Sequence, residues 1–326
     1  MSLVSAFGGR YLNHAFRTRD GARVRIVERP GRWMAADELA ALVTDLRTVI
    51  RTSLPAEALE YGVATGDPER LGAAIVTLVY AADDGRPVAF NALSVMDCEL
   101  RGQPVEVLHL GLVMIDPGYR SRGLSAVLYG LTSFLVFARR QMRPLWISNV
   151  TQVPSIVGMV AESFAHVFPT PDLAARRSWD HLSLARQIAR RHRHVFGVGP
   201  EAGFDEERFV LTDAYTGGSD NLKKRFEDAP RHRTEQFNEF CARELDYARG
   251  DDFLQLGQFT LRAARAHFVG FRPQLSPTWL LGQFAFLLLE SLVAPVMQWF
   301  CPERQMGELR PWREEEPHPA GPHPAG

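Results

Sequence analysis

Between Val105 and Ile115 the chain reads VEVLHLGLVMI, a run that is apolar at most positions, breaks at Asp-Pro-Gly, and gives way to a second apolar run from Leu124 to Ala138. The two runs differ in period. The first is short, rich in valine and leucine, and bounded by turn residues, as a strand is. The second places Leu124, Val127, Leu128, Leu131, Phe134 and Leu135 on one face of a helix, at the spacing of an amphipathic element. Two strands precede the first run, AAIVTLVYAA and PVAFNALSVMD. DDGR separates them as a hairpin turn, and LRGQP is the next turn. Three strands with short connections make an antiparallel meander. Upstream, RVRIVE alternates as a strand does. ADELAALVTDLRTVIRTSL puts Leu39, Leu42, Val43, Leu46 and Ile50 at helical spacing, with a further helical stretch to about Gly72. Downstream come a short strand, PLWISNV, and a helix, PSIVGMVAESFAHV, opened by Pro154.

After FPTP the pattern loosens. Residues 172–194 read as a polar, arginine-rich helix ending RRHRHVF. RFVLTDAY and FLQLGQFTL read as two more strands, joined through a polar helix around RTEQFNEFCARELDY. The expected organisation is an N-terminal arm at 1–21 and a core at 22–170. A region at 171–270 follows, whose additional strands are available to complete the sheet. An apolar segment occupies 271–305, and a tail occupies 306–326. The tail ends EEEPHPAGPHPAG, too rich in proline and glycine to pack, and is expected to be disordered.

Composition narrows the function classes. The 326 residues are 46% hydrophobic and 23% charged with a net charge of −1, so a core is readily built and no global field favours nucleic acid. ARQIARRHRH is basic, but no aromatic platform accompanies it, and it reads as a solvated helix face; no nucleic-acid partner is expected. Cys98, Cys241 and Cys301 lie far apart, with no C-x-x-C. They frame neither a zinc site nor a disulfide scaffold, so no metal is expected and a reducing cytoplasm is the expected setting. MSLVSAFGGRYLNHAFRTRD lacks the basic and apolar regions of a signal peptide. Lys223 and Lys224 are the only lysines, an arginine bias expected of a GC-rich, bacterial genome.

The joint between the two apolar runs carries candidate chemistry. A strand that turns straight into a helix aims the helix's first N–H groups, which have no intrahelical partners, beyond the sheet. The helix dipole adds positive potential there. Glycine lets a backbone approach a phosphate closely, and arginine adds charge-assisted hydrogen bonds. Arg120-Ser121-Arg122-Gly123 supplies all of these, the parts a pyrophosphate needs. An ordinary strand–helix turn with exposed arginines is the alternative, and residue type alone leaves both open.

The residue order IDPGYRSRGLS closely resembles the acyl-CoA signature of the GNAT superfamily of N-acetyltransferases. Arg120, Gly123 and Ser125 fill the signature's Arg/Gln-x-x-Gly-x-Gly/Ala positions, with Ser125 a small residue in the last of them. Ile115, Pro117 and Tyr119 match the lead-in. The flanking order of strand, helix, helix, three antiparallel strands, signature helix, strand and helix is also that of the family. The resemblance covers roughly residues 22 to 170. It implies an α/β (α+β) fold with a mixed, mostly antiparallel central sheet flanked by helices, extended here by the apolar helical C-terminal segment. It implies an acyltransferase that moves an acetyl group from acetyl-CoA, or another acyl from its CoA ester, to an amine acceptor the sequence does not identify. Backbone groups of Arg120, Ser121, Arg122, Gly123, Leu124 and Ser125 would cradle the pyrophosphate. The strand at Val113, Met114 and Ile115 would run beside pantetheine, and Gly111 would mark the bulge that opens the cleft. Gln152 stands where members of the family often carry an asparagine.

The resemblance also locates candidate catalytic residues. The position of the base used by histone-type members is His109 here, and strand alternation puts it on the face of Gly111, Val113 and Ile115. Neutral imidazole is a plausible base near neutral pH; the alternative is a strand histidine that only hydrogen-bonds. Glu106 is a second candidate, on the other face. The family's usual acid, a tyrosine, is replaced by Met159, leaving Ser155, Ser163 or solvent to protonate the thiolate. A non-catalytic acyl-CoA-binding or sensing module therefore stays open, as does transfer to a lipidic acceptor or of a long acyl chain.

The last feature is SPTWLLGQFAFLLLESLVAPVMQWFCPER. From Trp279 to Cys301 its only charge is Glu290. Its length suits a bilayer core of about 30 Å, with Trp279 and Trp299 near the ends as interfacial anchors would be. A central charge is expensive in a span. The expectation is docking on an apolar surface without crossing a membrane. That surface is the rest of the protein, a homodimer partner through residues 276–301, or a peripheral membrane contact.

Overall fold

In the computed structural model the described residues are 10–18, 20–54, 62–120, 124, 126–140 and 142–264, with 285, 288 and 292–300 of the C-terminal segment. One twisted sheet organises them. Its strands are β1 (Asn13–Arg17), β2 (Arg23–Glu28), β3 (Ala74–Tyr80), β4 (Pro87–Leu100), β5 (Gln103–His109), β6 (Val113–Ile115), β7 (Leu145–Thr151), β8 (Ala165–Phe168), β9 (Gly203–Asp205), β10 (Val210–Thr212) and β11 (Asp252–Phe259). Their order is β1-β2-β3-β4-β5-β7-β11-β10-β9, with β6 on β4 and β8 on β11. Every pairing is antiparallel except that of β5 with β7.

The helices are α1 (Ala36–Arg51), α2 (Pro68–Gly72), α3 (Thr132–Arg139), α4 (Pro154–Ser163), α5 (Trp179–Arg191), α6 (Glu235–Glu244) and α7 (Ala294–Phe300). Strand alternation sorts the apolar side chains to two faces. On the first, Leu128, Leu135 and Val136 of the α3 segment and Val160 of α4 pack on Ala89, Leu93, Leu108, Leu110 and Ile147. On the second, Leu42 and Leu46 of α1 pack on Val76, Leu78 and Phe90. Beside them, Leu184 and Ile188 of α5 pack on Met96, Val107, Trp146 and Leu256. The result is a three-layer sandwich with helices on both faces of a mostly antiparallel sheet, as the resemblance implies.

Besides the short β9, three features of the sheet were not foreseen: two strands and one placement. The N-terminal arm contributes β1, which pairs with β2 along five residues. Residues 165–168 leave the α4 pattern and form β8. The strand FLQLGQF enters the sheet between β7 and β8, so residues 169–251 form an insertion between β8 and its partner β11.

At the C-terminal segment, Leu292, Val293, Val296, Met297, Trp299 and Phe300 are all exposed. Packing against the chain's own core is thus not what these side chains do: α3, α4, α1 and α5 already cover both faces of the sheet. Among the described residues no helix is long and apolar enough to cross a membrane.

Candidate functional site

The parallel ladder between β5 and β7 is short. It pairs Val107 with Trp146, Leu108 with Ile147 and His109 with Ser148, and its last bond runs from the Leu110 N–H to the Ser148 carbonyl at 2.7 Å. Beyond that rung the strands part. β6 stays on β4 and β7 stays on β11, so the sheet splits into a cleft whose walls are Val113–Ile115 and Asn149–Thr151.

The bulge at Gly111 makes the split. A Cβ there would sit on the carbonyl oxygen of Ala92, so only glycine lets the two backbones cross this closely. The irregularity also inverts the alternation. Leu110 packs on the α3 face, Leu112 on the α1 face, Val113 and Ile115 on the α3 face and Met114 on the α1 face. His109 lies on the second face, against Phe196. The expectation that His109 shares a face with Val113 and Ile115 is therefore corrected, because it presumed an unbroken pleat.

Register shows which backbone groups line the cleft. Ala92 donates to the Leu112 carbonyl at 2.9 Å and Asp116 donates to the Val88 carbonyl at 2.8 Å. The even-numbered residues of this strand thus face β4. By alternation the N–H and C=O groups of Val113 and Ile115 face the gap, whereas those of Met114 are directed to β4. On the opposite wall Ser148 faces β5, so Val150 presents its backbone to the gap. An extended, amide-bearing chain has hydrogen-bonding edges on both sides there.

The joint after β6 is fixed locally. Asp116 accepts from the Gly118 N–H at 2.8 Å and pairs with Arg86 at 2.8 Å. Those contacts, Arg86 foremost, hold its carboxyl below the usual range. The Arg86 guanidinium lies 5.4 Å from the centre of the Tyr119 ring. A short 3₁₀ turn, Pro117–Tyr119, leads to an exposed Arg120. Leu124 is half-buried against the core; Ser121, Arg122, Gly123 and Ser125 lie outside the described residues. A π-helical turn, Ala126–Leu131, then precedes α3. π-turns are rare and concentrate at functional sites. The Asn91 side chain donates to the Leu128 carbonyl within this turn, and Thr77 and Thr132 share a buried hydrogen bond of 2.7 Å beneath the helix.

The candidate catalytic residues are placed as follows. His109 is 2% exposed. Its Nδ1 lies 3.0 Å from the Ser148 hydroxyl and its ring 5.2 Å from that of Phe196. Burial drives its pKa down to about 3, so the imidazole is neutral but a reluctant proton acceptor. Glu106 is committed elsewhere, pairing with Arg29 at 2.6 Å and with Arg140. Ser155 is half-buried in the first turn of α4, with its N–H donating to the Pro230 carbonyl at 3.1 Å. Ser163 ends α4, eight residues or about 12 Å further along the helix than Ser155. Met159 packs against the core.

Sequence reasoning missed the role of the insertion. Phe196 closes over His109. Arg193, in the stretch expected to be a solvated basic helix, donates to the carbonyls of Gly199 (3.3 Å) and Pro200 (3.0 Å), and also to those of Ala189 and Ala202. It staples the turn that carries Phe196. Phe196, two residues after RRHRH, was the available signal.

Neither a family model nor a curated protein matches the sequence. Solved structures similar to part of it include a ribosomal-protein-S5-alanine acetyltransferase from Vibrio fischeri. That match has 14% identity, covers 41% of this chain and 73% of the other, and has a TM-score of 0.28. An acetyltransferase of the GNAT family from Streptococcus pneumoniae matches with 16% identity, 43% and 82% coverage, and a TM-score of 0.28. A mutant AtaT toxin, bound to the C-terminus of the antitoxin AtaR and to acetyl-CoA, matches with 14% identity, 45% and 86% coverage, and a TM-score of 0.28. Strand order, the meander running into a helix after β6, and the parallel pair that splays beyond one rung together give this chain a GNAT-like fold.

Proposed function

We propose that the protein is an acyl-CoA-dependent acyltransferase, moving an acetyl group from acetyl-CoA to an amine. The observation that carries this is the split ladder. Pantetheine is an extended chain with two amides, and the gap offers backbone edges at Val113 and Ile115 on one wall and at Val150 on the other. The joint from Arg120 to Ser125 would take the pyrophosphate on backbone N–H groups and arginine charge. The amine would attack the thioester carbon directly. A backbone N–H facing the gap would hold the oxyanion, the attacking amine would give up its proton to solvent, and as the C–S bond breaks the thiolate would leave and take a proton from solvent, since a thiol's pKa is only about 8.5. His109 fits a positioning role in this scheme better than that of a base, because it is buried behind Phe196 and its cation is disfavoured.

Calorimetry with acetyl-CoA on wild type and Gly123→Glu tests the site. The substitution puts bulk and negative charge at the pyrophosphate, and affinity should fall at least tenfold, about 1.4 kcal/mol. Unchanged affinity in a folded variant would remove the assignment.

A second reading, acyl-CoA binding without turnover, is favoured by the buried His109 and by methionine at position 159. Thiol release during incubation with a panel of amines supports the enzyme; tight binding with no release supports the sensor. The exposed apolar side chains of α7 further support docking on a surface other than the core, a membrane or a second copy. Fractionation of the full chain beside one ending near Phe271 distinguishes these. Recovery of both forms as soluble monomers without detergent would eliminate both kinds of docking.

A further inference from the structure

Buried polar groups gather where β7 ends and α4 begins, against the wall of the cleft. Gln152 is fully buried. The Lys224 N–H donates to its amide oxygen at 2.8 Å, and the Lys224 carbonyl accepts from its amide nitrogen at 3.2 Å. A backbone N–H can only donate, so Lys224 fixes which way the amide points. The amide oxygen is then also the atom 2.7 Å from the Tyr215 hydroxyl. The same hydroxyl lies 2.9 Å from Oδ1 of Asp252, buried at the first position of β11. From the other side the Tyr247 hydroxyl donates to the Gln152 carbonyl at 2.6 Å.

With an ionised Asp252 there are too few hydrogens. A phenol carries one, and both an amide oxygen and a carboxylate only accept. Tyr215 would satisfy one neighbour and press an oxygen lone pair against the other. One proton on Asp252 resolves this: Asp252 donates to Tyr215, and Tyr215 donates to Gln152. Burial acts in the same direction. It pushes the Asp252 carboxyl up to about 7, opposed by the Tyr215 contact and aided by Asp251. Asp251 is itself paired with Arg249 at 2.7 Å. Tyr247 faces the cluster from α6's end of the insertion, Lys224 contributes its backbone, and Leu211 of β10, opposite Asp252, brings no charge.

We infer that Asp252 is held as a hydrogen-donating acid, and that Asp252, Tyr215 and Gln152 form a proton-dependent lock on the end of β7. Gln152 is two residues from Val150, whose backbone faces the cleft. When the proton leaves, Tyr215 turns to the carboxylate, Gln152 loses a donor, and the cleft wall loosens. Asp252 is thus a positioning residue, acting through Tyr215. Only the consequence for ligand affinity rests on the acyl-CoA reading.

The test compares full-length wild type, Asp252→Asn, Asp252→Ala and Tyr215→Phe by thermal unfolding from pH 5 to 8.5. Acetyl-CoA calorimetry and infrared detection of a protonated carboxyl accompany it. Asparagine can donate to Tyr215 but cannot ionise. Wild type should lose on the order of 5 °C relative to Asp252→Asn as pH rises through this range. Asp252→Ala and Tyr215→Phe should melt lower at every pH. Acetyl-CoA affinity of wild type should fall a few-fold over the same range while that of Asp252→Asn holds. The carboxyl band should be present at pH 5.5 in wild type and reduced in Asp252→Asn. An Asp252→Asn protein less stable than wild type at pH 8.5, or equal infrared bands in the two, would overturn the lock. If no protein binds acetyl-CoA at any pH, the acyl-CoA reading fails, and the unfolding and infrared results still decide the lock.

Discussion

At the joint after β6, Asp116 takes the N–H of Gly118 two residues on, and Arg86 reaches over from the turn between β3 and β4, 30 residues away in the chain. At the joint after β7, Gln152 is gripped by Lys224, Tyr215 and Tyr247, the last of them 95 residues away. Ser155 beside it hangs on the carbonyl of Pro230. The first joint is largely exposed apart from Asp116 and is held by a turn contact and one ion pair, and the second is buried and held by the insertion. Two strand ends with the same task, to keep the cleft open, are secured in one case by local turn chemistry and in the other by long-range burial. The first should therefore tolerate substitution with little loss of stability, and the second should not.

The largest break should come from Gly111→Val. Its Cβ has no place beside the Ala92 carbonyl, and the bulge cannot form; a loss of more than about 3 kcal/mol is expected in chemical denaturation. Gln152→Ala comes next. It strands the Lys224 N–H and carbonyl in a buried site, at a cost of about 2–3 kcal/mol, visible as a lowered urea midpoint at pH 6.

His109, at the last rung between the two joints, sharpens the comparison through pH. The unfolded chain takes up a proton near 6.5 that the fold refuses until about 3. Wild-type stability should therefore fall as pH is lowered, by about 2 kcal/mol between pH 7 and pH 5 from this residue. His109→Leu should flatten that acid limb, and an unchanged limb would show that the imidazole takes up its proton normally in the fold.

The smallest effect is expected at the first joint. Asp116→Ala should cost no more than about 1 kcal/mol, because Arg86 is well exposed. The Asp116 contribution should be present above the usual carboxylate range and fade as pH falls below it, since the fold lowers its pKa. Acetyl-CoA affinity should drop more than stability does. The reverse ratio, with large instability and intact binding, would sink the distinction between the joints.

The same contrast explains what was legible in the sequence. The meander, α1, α3 and the joint at Asp116–Arg120 are written in short-range patterns: turn residues, two periods and a glycine. Gly111 could be recognised as a bulge, but alternation presumes an even pleat and so put His109 on the wrong face relative to Val113. FLQLGQF was legible as a strand, yet nothing local says that it enters beside PLWISNV. Arg193 and Phe196 looked like the end of a solvated helix because the turn that folds four nearby carbonyls onto Arg193 carries no periodic pattern, and the histidine that meets Phe196 lies on β5, far off in the chain. The lock at Gln152 was invisible for the same reason.

The placement of β11 bears on how the chain is made. β7 emerges from synthesis about a hundred residues before the strand that covers its outer edge. During that interval its outer backbone edge is unpaired, the kind of edge that recruits foreign strands. Closing so long a loop is slow, because chain entropy is lost before the contacts form. Maturation of the cleft must wait for Phe259, and a ribosome stalled within the insertion would release a half-sheet prone to aggregate.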